Sequence, residues 1–216
     1  MNSFDENKAQ QYWARIAKQK MDTDPTRHGD KNRLFYDVKF IEQKCDLASI
    51  NNIIDLGAGS GQLSEALFDI NSKLEITCVE KHAEFISLKK NIQNIKKINK
   101  DILKYHDEKK YDLILLFGVI NSLSEKNEIK IYELISDLMH KNSIFILKHQ
   151  CGIEMETIVD HFSEALSSKY TARYPLIDNE QEILNDFFNF EVHPMYPKEL
   201  NPHSNTKFYA FTCKKK

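Results

Sequence analysis

Ile53-Ile54-Asp55-Leu56-Gly57-Ala58-Gly59-Ser60-Gly61 runs from a short apolar stretch into a loop with a glycine at every second position. The first four residues have the character of a short buried strand, and a helical pattern begins at about Gly61 and reaches Phe68. Glycines between a strand and a helix let the backbone turn tightly and approach a ligand where a Cβ would clash. Two nucleotide-type readings fail here. A phosphate loop needs Gly-x-x-x-x-Gly-Lys-Ser/Thr, which is absent. A dinucleotide fingerprint counted from Gly57 needs glycine or alanine where Gln62 stands.

Outward from this stretch, strands and helices alternate. Glu75 to Val79 is predicted as a second strand and His82 to Asn91 as a helix, with a third strand near Ile95 to Lys100. Tyr111 to Phe117 is a strongly apolar fourth strand, Ser124 to Met139 a helix, and Ser143 to Lys148 a fifth strand. Such alternation predicts a parallel sheet with helices on both faces. The last third differs: Glu154 to Leu166 reads as a helix, Lys169 to Tyr174 as extended, Glu180 to Phe188 as a helix. Phe190 to Tyr196 and Lys207 to Cys213 are the final strands; the loop Pro197–Asn205 is too short for a helical crossover, so they pair antiparallel. Before the glycine stretch, Tyr12, Trp13, Ile16 and Ala17 share a helix face ending near Met21. Asp22-Thr23-Asp24-Pro25 breaks that helix, and a second covers about Lys31 to Lys44.

Ile54 to Gly61 resembles, nearly residue for residue, the first motif of class I S-adenosylmethionine methyltransferases. The resemblance covers about Asn52 to Lys148 and the final helix-strand-strand. It implies an α/β, Rossmann-like, seven-stranded and mostly parallel sheet with an antiparallel final strand and helices on both faces. Residues 1–45 would form an N-terminal helical cap, and residues 46–216 the catalytic domain, with an acceptor-side insertion at about 151–177. It implies S-adenosylmethionine as cofactor, with Gly57, Ala58 and Gly59 packed near it and Asp55 orienting the loop or the cofactor's amino acid end. Glu80 ends the second strand, where the family places an acid on the ribose hydroxyls; a carboxylate accepts from two vicinal hydroxyls at once. Lys81 and His82 follow it. Asp101, beside Ile102, stands where the family meets the adenine, and Phe117-Gly118-Val119 where it lines the cofactor. These positions fall at the carboxyl ends of successive strands, where open α/β sheets bind ligands.

The family builds its acceptor site from variable parts, here Tyr12 to Tyr36 and His149 to Leu176. The polar candidates are Arg27, His28, His149, Gln150, Arg173, Tyr174 and His193. His149, just past the fifth strand, is the expected general base. Arg27, His28 and Arg173 suit an anionic acceptor. Tyr12, Trp13 and Tyr36 either close over the cofactor or pack the cap to the core. The segment after Phe117 lacks Asp/Asn-Pro-Pro-Tyr, which argues against N-methylation of DNA bases, and no metal-ligand spacing is recognisable.

The 216 residues allow one domain with a sizeable core. A formal net charge of -2 gives no general pull toward nucleic acid or anionic membranes. No secretory signal and no membrane span is expected, and the four scattered cysteines read as reduced in a cytoplasmic protein, monomer or homodimer. The expected reaction is methyl transfer to a small or medium-sized acceptor, a small molecule or saccharide, at oxygen. The preferred acceptor is a sugar or phosphoramidate-type group of a capsular polysaccharide. A non-catalytic cofactor-binding subunit, an RNA methyltransferase and a dinucleotide oxidoreductase are the alternatives.

Overall fold

The computed structural model describes residues 3–18, 31–87, 92–163 and 168–216. In chain order, two helices come first, α1 (Glu6–Lys18) and α2 (Lys31–Lys44). Then follow β1 (Asn52–Leu56), α3 (Gln62–Ile70), β2 (Glu75–Glu80), α4 (Ala83–Ser87) and β3 (Ile95–Asn99). The chain continues through β4 (Tyr111–Phe117), α5 (Glu125–Leu138), β5 (Met139–Gly152), β6 (Thr157–Ser163) and β7 (Ser168–Tyr174). It ends with α6 (Ile177–Phe187), β8 (Phe188–Pro194) and β9 (Thr206–Lys215).

Seven strands form one sheet in the order β3-β2-β1-β4-β5-β9-β8. The β1, β2, β3, β4 and β5 ladders are parallel, whereas β9 runs antiparallel to both β5 and β8. This is the doubly wound arrangement expected from the alternation. The chain reverses direction across the sheet between β1 and β4, so their carboxyl ends flank a crevice. Because successive strand residues face opposite sides, the sheet carries two cores. Ile54, Leu56, Ile114, Leu116, Phe145 and Leu147 pack under Ile131, Ile135 and Leu138 of α5 and Leu184 of α6. Ile53, Leu113, Leu115 and Ile146 pack under Phe40 and Ile41 of α2 and Leu63 and Leu67 of α3. Tyr12, Ile16 and Ala17 of α1 make a smaller cluster with Phe85 of α4.

Four expectations change. The helix read over Glu154 to Leu166 is replaced by irregular chain to Glu156 and then by β6, which pairs antiparallel with β7 as a separate hairpin; residues 164–167 lie outside the described residues. Thr157-Ile158-Val159 is β-branched throughout, which favours a pleated strand. The facing pair Asp160 and Thr171 is joined by a 3.0 Å hydrogen bond from the hydroxyl to the carboxylate, with Lys169 Nζ 3.2 Å from the same carboxylate. Second, β5 runs well beyond Lys148 because Phe145 to Gly152 pairs continuously with β9. Third, the helix after β2 spans Ala83–Ser87 in its described part, and residues 88–91 lie outside the described residues. Fourth, the first helix is described to Lys18; its continuation to Met21, the Asp22–Pro25 break and the following loop lie outside the described residues.

Candidate active site

The glycine loop is fixed by the end of β2. Gly57 N–H and Ala58 N–H both donate to Val79 O, at 2.8 and 3.1 Å. Gly59 N–H donates to Glu80 Oε2 at 3.0 Å, and His82 N–H to Glu80 Oε1 at 2.8 Å. Glu80 therefore braces the loop and still has lone pairs left for hydroxyl donors. Burial raises its pKa above the ordinary carboxylate value, and these N–H donors and Lys81 oppose the rise. Gly57 has φ +73°, and a Cβ on it would stand 2.4 Å from Val119 Cγ2. Asp55, buried in β1, accepts from Ser64 Oγ at 2.7 Å.

These elements enclose a cavity of about 350 Å³, within the usual range for small-ligand sites. Asp55, Gly57, Ala58, Gly59, Glu80, Lys81, Asp101, Ile102, Phe117 and Gly118 all line it, so the structure brings every residue the cofactor reading named to one surface. Lys81 Nζ lies 3.0 Å from Asp101 Oδ2 and donates to Gln10 Oε1 at 3.0 Å. Burial, with Lys81, lowers the His82 pKa below the ordinary histidine value.

Helix α1 closes one side. Trp13 Nε1 donates to Ser122 Oγ at 2.8 Å, and Gln10 Nε2 to Ser122 O at 3.3 Å. The Glu6 carboxylate accepts from Ser124 N–H at 2.9 Å and from Asn127 Nδ2, which ties α1 to the start of α5. Trp13 lines the cavity, whereas Tyr12 is buried against Trp13 and Tyr170, and Tyr36 packs on Phe35 and Tyr196. The β6–β7 hairpin supplies Tyr170 and Tyr174, and β5 and β9 supply Lys148, Gln150 and Phe208.

His149 does not reach this cavity. Strand alternation turns Lys148 and Gln150 toward it and His149 to the opposite face. There the ring is completely buried, 3.1 Å from Glu180 Oε2 and stacked on Phe211. Burial alone would lower its pKa, but the neighbouring Cys151 and the Glu180 carboxylate together hold it well above the ordinary histidine value. His149 is thus a buried partner of Glu180 on the opposite face of the sheet, not a general base at the cofactor edge. Arg173 is corrected for the same reason of parity. Tyr170 and Tyr174 face the cavity, while the Arg173 guanidinium is spent on Glu128 and Glu156, each at 2.7 Å. His193 packs on Phe40, away from the cavity. Arg27 and His28 lie outside the described residues.

Among the cavity residues that sequence reading did not single out, three bear on the site's polarity. Asn121, just after β4, donates to Gln150 O and Arg173 O at 2.8 and 2.9 Å, joining β5 to the hairpin. Lys148 is fully buried, with Nζ 2.7 Å from both Asp37 Oδ2 and Tyr196 Oη. Tyr196 Oη donates to Asp37 Oδ1 at 2.7 Å, closing a ring of three side chains from α2, β5 and the segment after β8. Lysine among Phe145-Ile146-Leu147 was the available signal, since a charge in a buried strand demands a partner. Arg33, in the first turn of α2, is the third.

The cavity also fits the cofactor electrostatically. Around the loop, Asp55, Glu80 and Asp101 face one ammonium, Lys81, a negative surround suited to a sulfonium and an amino group. Among the described residues no group of three or more His, Cys, Asp or Glu is placed to hold a metal ion. No helix among them is long and apolar enough to cross a membrane.

A 3-2-1-4-5-9-8 sheet with this loop and an acid at the end of β2 defines the class I methyltransferase fold. The family described as "Methyltransferase domain" matches residues 48–191. The chain belongs to this family of S-adenosylmethionine-dependent methyltransferases. A probable (S)-tetrahydroprotoberberine N-methyltransferase 2 from Papaver bracteatum is 28% identical over 138 residues, 58% of this chain and 36% of that protein. The chain thus matches about a third of the length of that relative. The glycopeptide N-methyltransferase MtfA complexed with S-adenosylmethionine superposes with a TM-score of 0.65 at 12% identity, over 82% of this chain and 92% of that one. The 1,6-didemethyltoxoflavin-N1-methyltransferase of Burkholderia thailandensis gives 0.67 at 14% identity, over 86% and 79%. At these identities the two structures show the shared fold.

Proposed function

We propose that this chain transfers the methyl group of S-adenosylmethionine to a small-molecule acceptor. The observation that carries the reading is the continuity of one cavity, from the glycine loop and Glu80 to a wall of Trp13, Tyr170, Tyr174 and Phe208. Gly57 to Gly59, Glu80, Asp101 and Ile102 would hold the donor, which supplies an electrophilic methyl when bound. The aromatic wall would hold the acceptor in line and exclude water; alignment of this kind accounts for much of the rate of such displacements. Gln150, fixed by a 2.6 Å bond from its Nε2 to Thr206 Oγ1, presents polar atoms to orient the acceptor.

The N-methyltransferase activities named for the relatives support a nitrogen acceptor. An oxygen acceptor, such as a saccharide hydroxyl in capsule assembly, is the second reading. It is favoured by Lys148, whose ammonium at the cavity wall would stabilise a hydroxyl that has lost its proton. The test is a screen of small amines, phenols and saccharides with labelled methyl donor. Label recovered on a small amine or hydroxyl supports the reading. Donor binding without transfer to any member of the panel points instead to a non-catalytic cofactor-binding subunit.

A further inference from the structure

The charges around the cavity are not evenly distributed. The loop end holds more carboxylates than ammonium groups, as described above. At the other end, among the described residues, Lys148 and Arg33 line the wall and one carboxylate, Asp37, is paired with Lys148 behind it. Asp37 is closely engaged, with Lys148 on Oδ2 and Tyr196 Oη on Oδ1. Among the described residues, no carboxylate forms an ion pair with Arg33.

Arg33 comes from the first turn of α2 and lines the cavity. Its guanidinium is held over two rings, 4.8 Å from the centroid of Phe208 and 5.5 Å from that of Tyr196. One terminal nitrogen, Nη2, donates to Leu200 O at 3.0 Å, and Nε is buried without a hydrogen-bond partner. Two aromatic faces and a carbonyl fix the plane of the group without neutralising it. Arg33 is half-buried, and a guanidinium with one nitrogen buried and unpartnered and no carboxylate on it among the described residues is left to attract an anion. The environment favours an anion arriving with a ligand, and a planar guanidinium suits the paired oxygens of a carboxylate.

We infer that Arg33 receives an oxyanion of a bound ligand. The inference rests on the methyltransferase reading of this cavity, and two sources supply the same chemistry. One is the carboxylate of the donor's amino acid tail, and the other is an acidic group on the acceptor. Lys148, already matched by Asp37, adds positive potential without competing for the ligand's oxygens. Burial lowers the Lys148 pKa against the pull of Asp37, and the like charge of Arg33 adds a smaller lowering. An anion between them relieves that repulsion.

The test uses the full chain and its single tryptophan, Trp13, as reporter, because that ring lines the cavity. Wild type and Arg33→Gln are titrated with S-adenosylhomocysteine and with 5′-methylthioadenosine, which lacks the amino acid tail. Both proteins, saturated with S-adenosylhomocysteine, are then titrated with benzoate against benzamide and phenyl phosphate against phenol. If the donor's tail is the anion, Arg33→Gln weakens S-adenosylhomocysteine binding at least tenfold and leaves methylthioadenosine unchanged. If the acceptor carries it, both proteins bind S-adenosylhomocysteine equally. In that case wild type prefers an acid over its neutral partner by at least tenfold, and the variant loses the preference. A variant that matches wild type in every titration overturns the inference. Failure of wild type to bind S-adenosylhomocysteine overturns the methyltransferase reading instead. A melting temperature for Arg33→Gln within a few degrees of wild type assigns these losses to the ligand rather than to the fold.

Discussion

Gly57→Ala tests whether the cofactor loop is built as described. Two independent penalties apply. An L-residue at φ +73° enters the left-handed region, which costs roughly 1–2 kcal/mol. The new Cβ would also stand 2.4 Å from Val119 Cγ2. Val119 is β-branched and stiff, so the overlap is relieved by moving the loop or the segment after β4, at roughly 1–3 kcal/mol. Loss of unfolded-chain freedom returns about 0.4–1 kcal/mol, leaving a net destabilisation of about 1–5 kcal/mol. Urea unfolding at constant m reads this value directly. Adding Val119→Ala removes the overlap but not the backbone penalty, so a double-mutant cycle isolates a coupling of about 1–3 kcal/mol. Gly57→Ala should also weaken S-adenosylhomocysteine binding, since Gly57 and Val119 both line the cavity. A variant as stable as wild type, or a cycle with no coupling, would refute the packing of this loop.

Asp37→Asn leaves the buried Lys148 ammonium with no full counter-charge, a loss of about 3–5 kcal/mol. At roughly 2–4 °C per kcal/mol for a chain of this size, calorimetry should find a fall on the order of 10 °C. A fall under 2 °C would remove the pair from the core. His149→Gln breaks the contact with Glu180 and should lower the melting temperature while leaving the Kd for S-adenosylhomocysteine within about threefold; a weaker Kd with unchanged stability would return His149 to the cavity. Stability should also fall with rising pH. Burial and the neighbouring Glu180 charge push Glu128 up to about 8 against the pull of Arg173, so the fold holds a proton that the unfolded chain has lost above about pH 4.5. His149, held above its unfolded value, acts in the same direction, its contribution being complete below about pH 6.5 and lost as it deprotonates. Thermal melts between pH 5 and 9 should therefore decline, and Glu128→Gln should flatten the decline; superimposable profiles would contradict the raised proton affinity of Glu128.

The fold was legible because its strands are apolar and its loop residues specific. Tyr111–Phe117 was delimited correctly from hydrophobicity alone, and Pro197–Asn205 was short enough to require the antiparallel pair. The cofactor side was equally legible, since glycines and acids at strand ends are local signals. The acceptor side was not. His149 and Arg173 are chemically capable residues near the right strand ends, but which way each points depends on strand parity rather than on residue type. Counting from Lys148 or Tyr174 turns both away from the cavity. The segment 154–166 misled because Glu154, Met155 and Glu156 are good helix formers, while the pairing that makes a strand comes from residues 168–174. Arg33 carried no local signal, as its meaning depends on Phe208 and Tyr196, far along the chain.

Calorimetric titration of the full chain with S-adenosylhomocysteine and, separately, with NAD tests the central claim most directly. The account predicts saturable one-site binding of S-adenosylhomocysteine and none of NAD. Tight binding of NAD without binding of S-adenosylhomocysteine would contradict it.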